Sequence, residues 1–233
     1  MWSASGRWTT KCDPMIKRTF DFVVALLAVL LLSPLLLPVM VILRLTGEGE
    51  VFYLQERIGR GGKPFLIWKF ATMLKDSPNL TGGDITVKRD PRVLPFGHFL
   101  RKTKINELPQ LINIIKGDMS VIGPRPLTKR IAALFPAAYW QVLAAVRPGL
   151  SGIGSIVFRD EETLLSQAED RQRVYSEVIV PYKMMLEEWY VAHQNLALDL
   201  KLIALTLLAV ARPGMRVDRL FSDLPAPPLP QTA

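Results

Sequence analysis

The longest apolar run in the chain extends from Phe22 to Leu43, with Ser33 as its only polar residue and no charge inside it. About 20 such residues suffice to cross a bilayer as a helix. Lys17 and Arg18 precede the run and Arg44 follows it. Ser33-Pro34 divides it in half, and Pro38 follows one turn later. Each proline removes a helix hydrogen bond and crowds the carbonyl four residues back. A bent single pass satisfies this pattern. So does a re-entrant hairpin of two half-helices, because cations at both ends favour placing both on the cytoplasmic side. The length of the run, and the lack of a small-x-small pattern after it, argue against a cleaved signal peptide.

The remaining pattern predicts mixed elements. Two β-rich runs within 51–73 flank Gly59-Arg60-Gly61-Gly62, a hairpin signal. These glycines do not have the spacing of a dinucleotide fingerprint, and no helix opens after them. Residues 75–92 read as a polar loop, either a lid or a simple connection. A short helix from Val93 to Lys102 leads into 101–126. There, Leu108, Leu111, Ile112 and Ile115 share one helical face, Asn106 is a natural N-cap, and Gly117 stops the helix. Pro136 interrupts a helical stretch, 146–152 is a turn-rich loop, and three acids follow at Asp160, Glu161 and Glu162. A helix over 170–193 is interrupted at Pro181. A second, rich in Leu and Ala, runs from Leu198 to near Arg212; it is too short to span a bilayer and suited to an interface or a core. The Pro-rich end reads as a disordered tail.

Composition sharpens this picture. The 233 residues are 49% hydrophobic and carry a formal net charge of +8. Anionic partners follow from that charge: nucleic acid, lipid headgroups, nucleotide-sugars or lipid phosphates. Nucleic acid leaves the apolar run unexplained, and no helix-turn-helix or zinc pattern is present. Cys12 is the single cysteine, and His98 and His193 have no ligand spacing. In residues 101–126, Arg101, Lys102 and Lys104 gather beside the polar pair Asn106-Glu107 at a helix start, where phosphate is stabilised. Gly123-Pro124-Arg125-Pro126 adds a guanidinium on a stiff turn.

This stretch resembles the signature of the bacterial sugar transferase family, the monotopic phosphoglycosyl transferases. The family wording is an Arg, then Asp-Glu-Leu-Pro-Gln-Leu, Lys-Gly-Asp-Met-Ser and Gly-Pro-Arg-Pro. This chain has Arg101, Asn106 through Leu111, Lys116 through Ser120, and Gly123 through Pro126. Asn106 replaces the usual Asp, which in the family is the nucleophile. A second departure follows the Arg147-Pro148-Gly149 element, where the family usually has Trp-Ala-Gln-Val-Asn-Gly-Arg.

The resemblance implies an α+β, mostly helical, monotopic membrane protein. A flexible N-terminus (1–14) would precede a re-entrant N-terminal helix hairpin (15–46) broken at Ser33 and Pro34, a cytosolic catalytic domain (47–212) and the tail (213–233). The implied partners are a UDP-sugar, a polyprenol phosphate and the bacterial inner membrane at its cytoplasmic face, with no nucleic acid; a homo-oligomer is compatible. The implied cofactor is Mg²⁺. Glu107 and Asn106 are then the catalytic pair, with Glu107 the candidate metal ligand. Lys69, Arg101, Arg125 and Arg147 are candidate diphosphate contacts. Glu187 matches a functional family Asp. With Asn106 present, Glu107 is the nucleophile, or transfer is direct with Glu107 or one of Asp160, Glu161 and Glu162 as base, or catalysis is lost and a polyprenol-phosphate or nucleotide-sugar binding protein remains.

Overall fold

The computed structural model describes residues 13–77, 90–133, 135–159, 161, 165–166, 170–212, 221 and 224. Residues 1–12, most of the expected lid loop (78–89), Asp160, Glu162 and nearly all of the 213–233 tail lie outside the described residues.

Helix α1 is Pro14–Leu45, 32 residues long. It starts where Pro14 fits the first turn, and the Asp13 carboxylate accepts from the backbone N–H groups of Met15 (2.7 Å) and Ile16. The sequence suggested two half-helices. Instead the helix continues through Pro34 and Pro38. Proline 34 leaves the Leu30 carbonyl without its usual donor, and the Ser33 hydroxyl supplies one at 2.8 Å. Both ends of α1 pack on the protein body. Ala25 and its neighbours join the main core, whereas Val39 and Leu43 join a smaller cluster with Phe70 and Leu100. Between them one face is exposed, with Leu31 80% exposed, while Ala28, Val29, Leu32 and Leu36 continue the packing on the other.

The start of α1 is fixed by buried charge. Lys17 Nζ pairs with Asp21 (3.1 Å) and with Asp199 (2.9 Å). Asp21 also accepts from the Ser120 hydroxyl and the Val121 N–H, and Asp199 accepts from the Tyr190 hydroxyl at 2.7 Å.

The expected hairpin forms from β1 (Phe52–Ile58) and β2 (Pro64–Phe70), antiparallel, with Tyr53 opposite Lys69 and Arg57 opposite Phe65. One face therefore presents Arg57 and Lys69, and the other carries the aromatics Phe52, Trp68 and Phe70. Helices α2 (Pro95–Lys102) and α3 (Gln110–Lys116) follow. Gly117 ends α3 in the left-handed region, φ 96°. The core side of α3 is set by Leu111 and Ile114 together with Asn113, rather than by the apolar positions alone. The Asn113 amide satisfies two backbone groups of β2: its oxygen accepts from Trp68 N–H (2.9 Å), and its nitrogen donates to the Leu66 carbonyl (2.7 Å).

The short strand β3 (Ser120–Ile122) pairs in parallel with β4 (Gly149–Ser151), inside what reads in sequence as a turn-rich loop. A Cβ on Gly149 would stand 2.1 Å from the Gly123 nitrogen, so two glycines are needed for these backbones to meet. Pro136 separates α4 (Lys129–Ala132) from α5 (Ala137–Ala145) as expected. After α6 (Ile153–Val157) come α7 (Arg171–Val174), a π-turn over Tyr175–Ile179 and α8 (Val180–His193). The wider turn precedes Pro181, which lacks the N–H for a regular bond, so the helix continues past the proline. Helix α9 (Leu196–Ala211) is capped by Asn195. It buries Leu202, Leu205 and Ala209 and leaves Leu200 and Leu207 exposed.

Candidate active site

A cleft of about 1290 Å³ opens between the β1–β2 hairpin, the α2–α3 connection, the Gly123–Pro126 turn and the α6 and α8 helices. It gathers Lys69, Arg101, Asn106, Glu107, Arg125 and Glu187, residues that lie up to 118 positions apart in sequence.

Glu107 occupies a single 3₁₀ turn, Ile105–Glu107, entered through Lys104 at φ 62°. Asn106 is therefore not the N-cap of α3. Pro109 holds that position, and tight bonds such as Leu111 N–H to the Leu108 carbonyl satisfy the first donors. The Asn106 side chain is instead buried, 7% exposed, and its Oδ1 has no hydrogen-bond partner among the described residues.

Arg125 Nη2 donates to Glu107 Oε1 at 3.0 Å. Burial alone would raise the Glu107 carboxyl, but Arg125, Lys69 and Lys104 overcome it and hold the group at about 2. Glu107 is thus ionised throughout the physiological range. Lys69 moves the other way: burial and the nearby Arg57 lower it to about 7, with Glu107 opposing and Arg125 and Arg101 adding to the fall. The local balance explains both shifts. Lys69 feels Arg57, Arg125 and Arg101 against Glu107, and among the described residues lining the cleft ten lysines and arginines stand with six aspartates and glutamates, a net positive field that suits an anion.

Glu187 forms the far side of the cleft. It is 5% exposed, and its carboxyl is raised by burial to about 8, against the opposing influence of the Arg125 backbone N–H and Lys183. Glu161 also lines the cleft, paired with Lys183 at 2.6 Å.

Arg147 is not brought to this cleft. Its Nε donates to the Gly117 carbonyl at 2.9 Å, and Arg18 Nη2 donates to the Ile115 carbonyl at 2.7 Å. Both cations serve the C-terminal end of α3, where free carbonyls attract positive charge. Ser33 and Pro34 lie in the exposed middle of α1.

Sequence reasoning missed Arg57, whose signal was available. Pairing the hairpin about its glycine turn puts Arg57 and Lys69 on one face. It also missed Lys183, which is ordinary in sequence and becomes notable only through the fold.

Among the described residues no group of three or more His, Cys, Asp or Glu could hold a metal, so a divalent cation here would rest on few protein oxygens. Mg²⁺ takes one or two protein oxygens and fills its shell with water and substrate phosphate. The ionised Glu107 and the unpartnered Asn106 Oδ1, on adjacent residues, supply such a pair.

The family model for bacterial sugar transferases matches residues 12–213. A UDP-N-acetylgalactosamine-undecaprenyl-phosphate N-acetylgalactosaminephosphotransferase from Aeromonas hydrophila is 40% identical over 144 residues, covering 61% of this chain and 34% of that protein. The exopolysaccharide production protein ExoY of Rhizobium meliloti (strain 1021) is 35% identical over 189 residues, covering 72% of this chain and 83% of the relative. A UDP-glucose:undecaprenyl-phosphate glucose-1-phosphate transferase of Escherichia coli (strain K12) is 35% identical over 200 residues, covering 83% of this chain and 39% of the relative. The chain thus spans well under half the length of two of these relatives and most of the third.

Proposed function

We propose that this chain, which belongs to the bacterial sugar transferase family, transfers a sugar-1-phosphate from a UDP-sugar to a membrane polyprenol phosphate, releasing UMP and starting assembly of a surface glycan. The observation that carries this reading is the excess of lysines and arginines over acids among the described residues lining the cleft, on a body that holds both ends of an apolar helix. A diphosphate answers the charge, and a lipid phosphate at headgroup depth explains why the cleft is held at a membrane.

Glu107 is the reacting carboxylate in this reading. A carboxyl at about 2 is a weak proton acceptor, which favours a nucleophile or metal ligand over a general base. As nucleophile, one oxygen bonds the sugar-bearing phosphorus while the bond from that phosphorus to the UMP oxygen breaks, and UMP departs with those electrons. An oxygen of the polyprenol phosphate then attacks the same phosphorus, and the Glu107 carboxylate leaves. Arg125 positions Glu107, and Lys69 and Arg101 hold phosphate oxygens. Glu107 and Asn106 would hold Mg²⁺, whose charge neutralises the diphosphate when bound.

The membrane anchor is re-entrant in this reading. A helix leading straight across a bilayer touches its domain at one end, whereas α1 packs on the same body at Ala25 and again at Val39 and Leu43. Leu30, Leu31 and Leu37 are left bare for lipid between them. Both ends then lie at the cytoplasmic face of the inner membrane.

Purified protein supplied with polyprenol phosphate, Mg²⁺ and a panel of UDP-sugars should release UMP with at least one sugar, and Glu107→Gln should abolish that release. Absence of UMP with every sugar would overturn the assignment. Full activity in Glu107→Gln would remove Glu107 from the chemistry.

A further inference from the structure

The far wall of the cleft carries groups that the transfer step leaves unused. Glu187 is buried there with Oε2 lacking a hydrogen-bond partner among the described residues. Gly154 backs it: a Cβ at that position would stand 2.6 Å from Glu187 Oε1, so a larger residue would displace the carboxyl. One turn earlier on α8, Lys183 pairs with Glu161 at 2.6 Å. The same ammonium lies 5.3 Å from the ring centre of Phe158 and 5.6 Å from that of Tyr175. All of these residues line the cleft that contains Glu107 and Arg125. Arg125 joins the two walls, with its side chain on Glu107 and its backbone N–H on Glu187.

This wall suits a neutral, hydroxyl-rich ring. Two carboxyls against one lysine do not favour phosphate. A uracil edge needs donors for two carbonyls, and this wall offers a single ammonium. Hydroxyls both donate and accept, so neighbouring ones can answer a carboxyl and an ammonium together. An unpaired buried polar oxygen is destabilising, and a ligand hydroxyl on Glu187 Oε2 would relieve that cost.

We propose that Glu161, Lys183 and Glu187 form the subsite that reads the hydroxyl pattern of the sugar ring, and so set which UDP-sugar the chain accepts. This rests on the transfer reading above. At neutral pH the Glu187 carboxyl, raised to about 8, holds its proton, so it donates to one sugar oxygen and accepts from another.

The test is competition against a fluorescent UDP on the full chain in detergent with Mg²⁺. The competitors are UDP and the UDP forms of glucose, galactose, N-acetylglucosamine and N-acetylgalactosamine. Lys183→Met keeps the apolar stem against Phe158 and Tyr175. Glu161→Gln provides a second, gentler variant, which carries the test if the first does not fold. Both should bind UDP as the unmutated chain does, while the ratio of preferred UDP-sugar affinity to UDP affinity falls by about tenfold, the loss of one charge-assisted hydrogen bond. The order among the four sugars should also change. An unchanged ratio and order would overturn the subsite, as would an equal loss of UDP affinity, which would assign the wall to the diphosphate. If the unmutated chain binds neither UDP nor any UDP-sugar, the transfer reading falls, and the subsite with it.

Discussion

Two clusters of charge in this molecule are built from the same residue types and differ in balance. At the base of α1, Lys17 is shared by Asp21 and Asp199, with Ser120 and Tyr190 hydroxyls completing the set, all sealed from solvent. In the cleft, Arg125, Lys69 and Lys104 act on Glu107, and the space beside them is open. The first cluster sets one ammonium against two carboxylates, none of its residues lines the cleft, and it holds the start of α1 to the body. The second lines a cleft whose described cations outnumber its carboxylates, a field that suits an anion. Buried charge alone does not mark a site; uncompensated charge beside a cavity does.

The largest effect should come from breaking the closed cluster. Lys17→Ala leaves two buried carboxylates without their counter-charge, which typically costs about 3–5 kcal/mol. Thermal unfolding in detergent should show a large drop in Tm. An unchanged Tm would mean that the cluster does not hold the anchor.

Next come the open cluster's cations. Arg101→Ala and Arg125→Ala should each lower UMP release at least roughly tenfold, as expected for about 1.5–3 kcal/mol per charged contact, with membrane association intact. Arg147→Ala sharpens the contrast, because Arg147 serves the Gly117 carbonyl. It should reduce stability with a smaller loss of turnover. Equal losses for Arg147 and Arg125 would put Arg147 back among the phosphate contacts.

The last effect is a pH slope, small at any single pH step. The Glu187 carboxyl, ordinarily near 4.5, lies at about 8 in the fold. Between those values the folded chain keeps a proton that the unfolded chain has released. Stability from this group therefore falls as pH rises through that window and levels off above about 8, by at most about 1.4 kcal/mol per pH unit. Glu187→Gln should flatten that part of the profile of Tm against pH. An identical slope in the variant would show that Glu187 titrates normally.

Much of the site was legible in the sequence because its residues sit on rigid local devices. The glycine turn at 59–62 fixed the hairpin and hence the placement of Lys69, and the Pro-flanked turn fixed Arg125. The rest depends on distant pairing. Strands of three residues such as β3 and β4 have no period to read, so their union, which seats the Arg125 turn, was invisible. Asn106 looked like a cap because Asn favours that role, but the chain spends its first turn in 3₁₀ geometry instead. Ser33-Pro34 looked like a break because the sequence does not show that the serine replaces the donor that proline removes. Lys17, Asp21 and Asp199 are spread over 182 positions and look like ordinary flanking charges until the fold joins them.

The open cluster's purpose is tested most directly by the protons that move when it is filled. Lys69 lies at about 7 because burial and neighbouring cations disfavour its charge. A bound diphosphate favours that charge and raises the amine. Calorimetry of UDP binding at pH 8, without acceptor lipid, in buffers of different ionisation enthalpy, should therefore show proton uptake that disappears in Lys69→Met. Binding with no proton uptake, or uptake that persists in Lys69→Met, would contradict the assignment of these cations to the diphosphate.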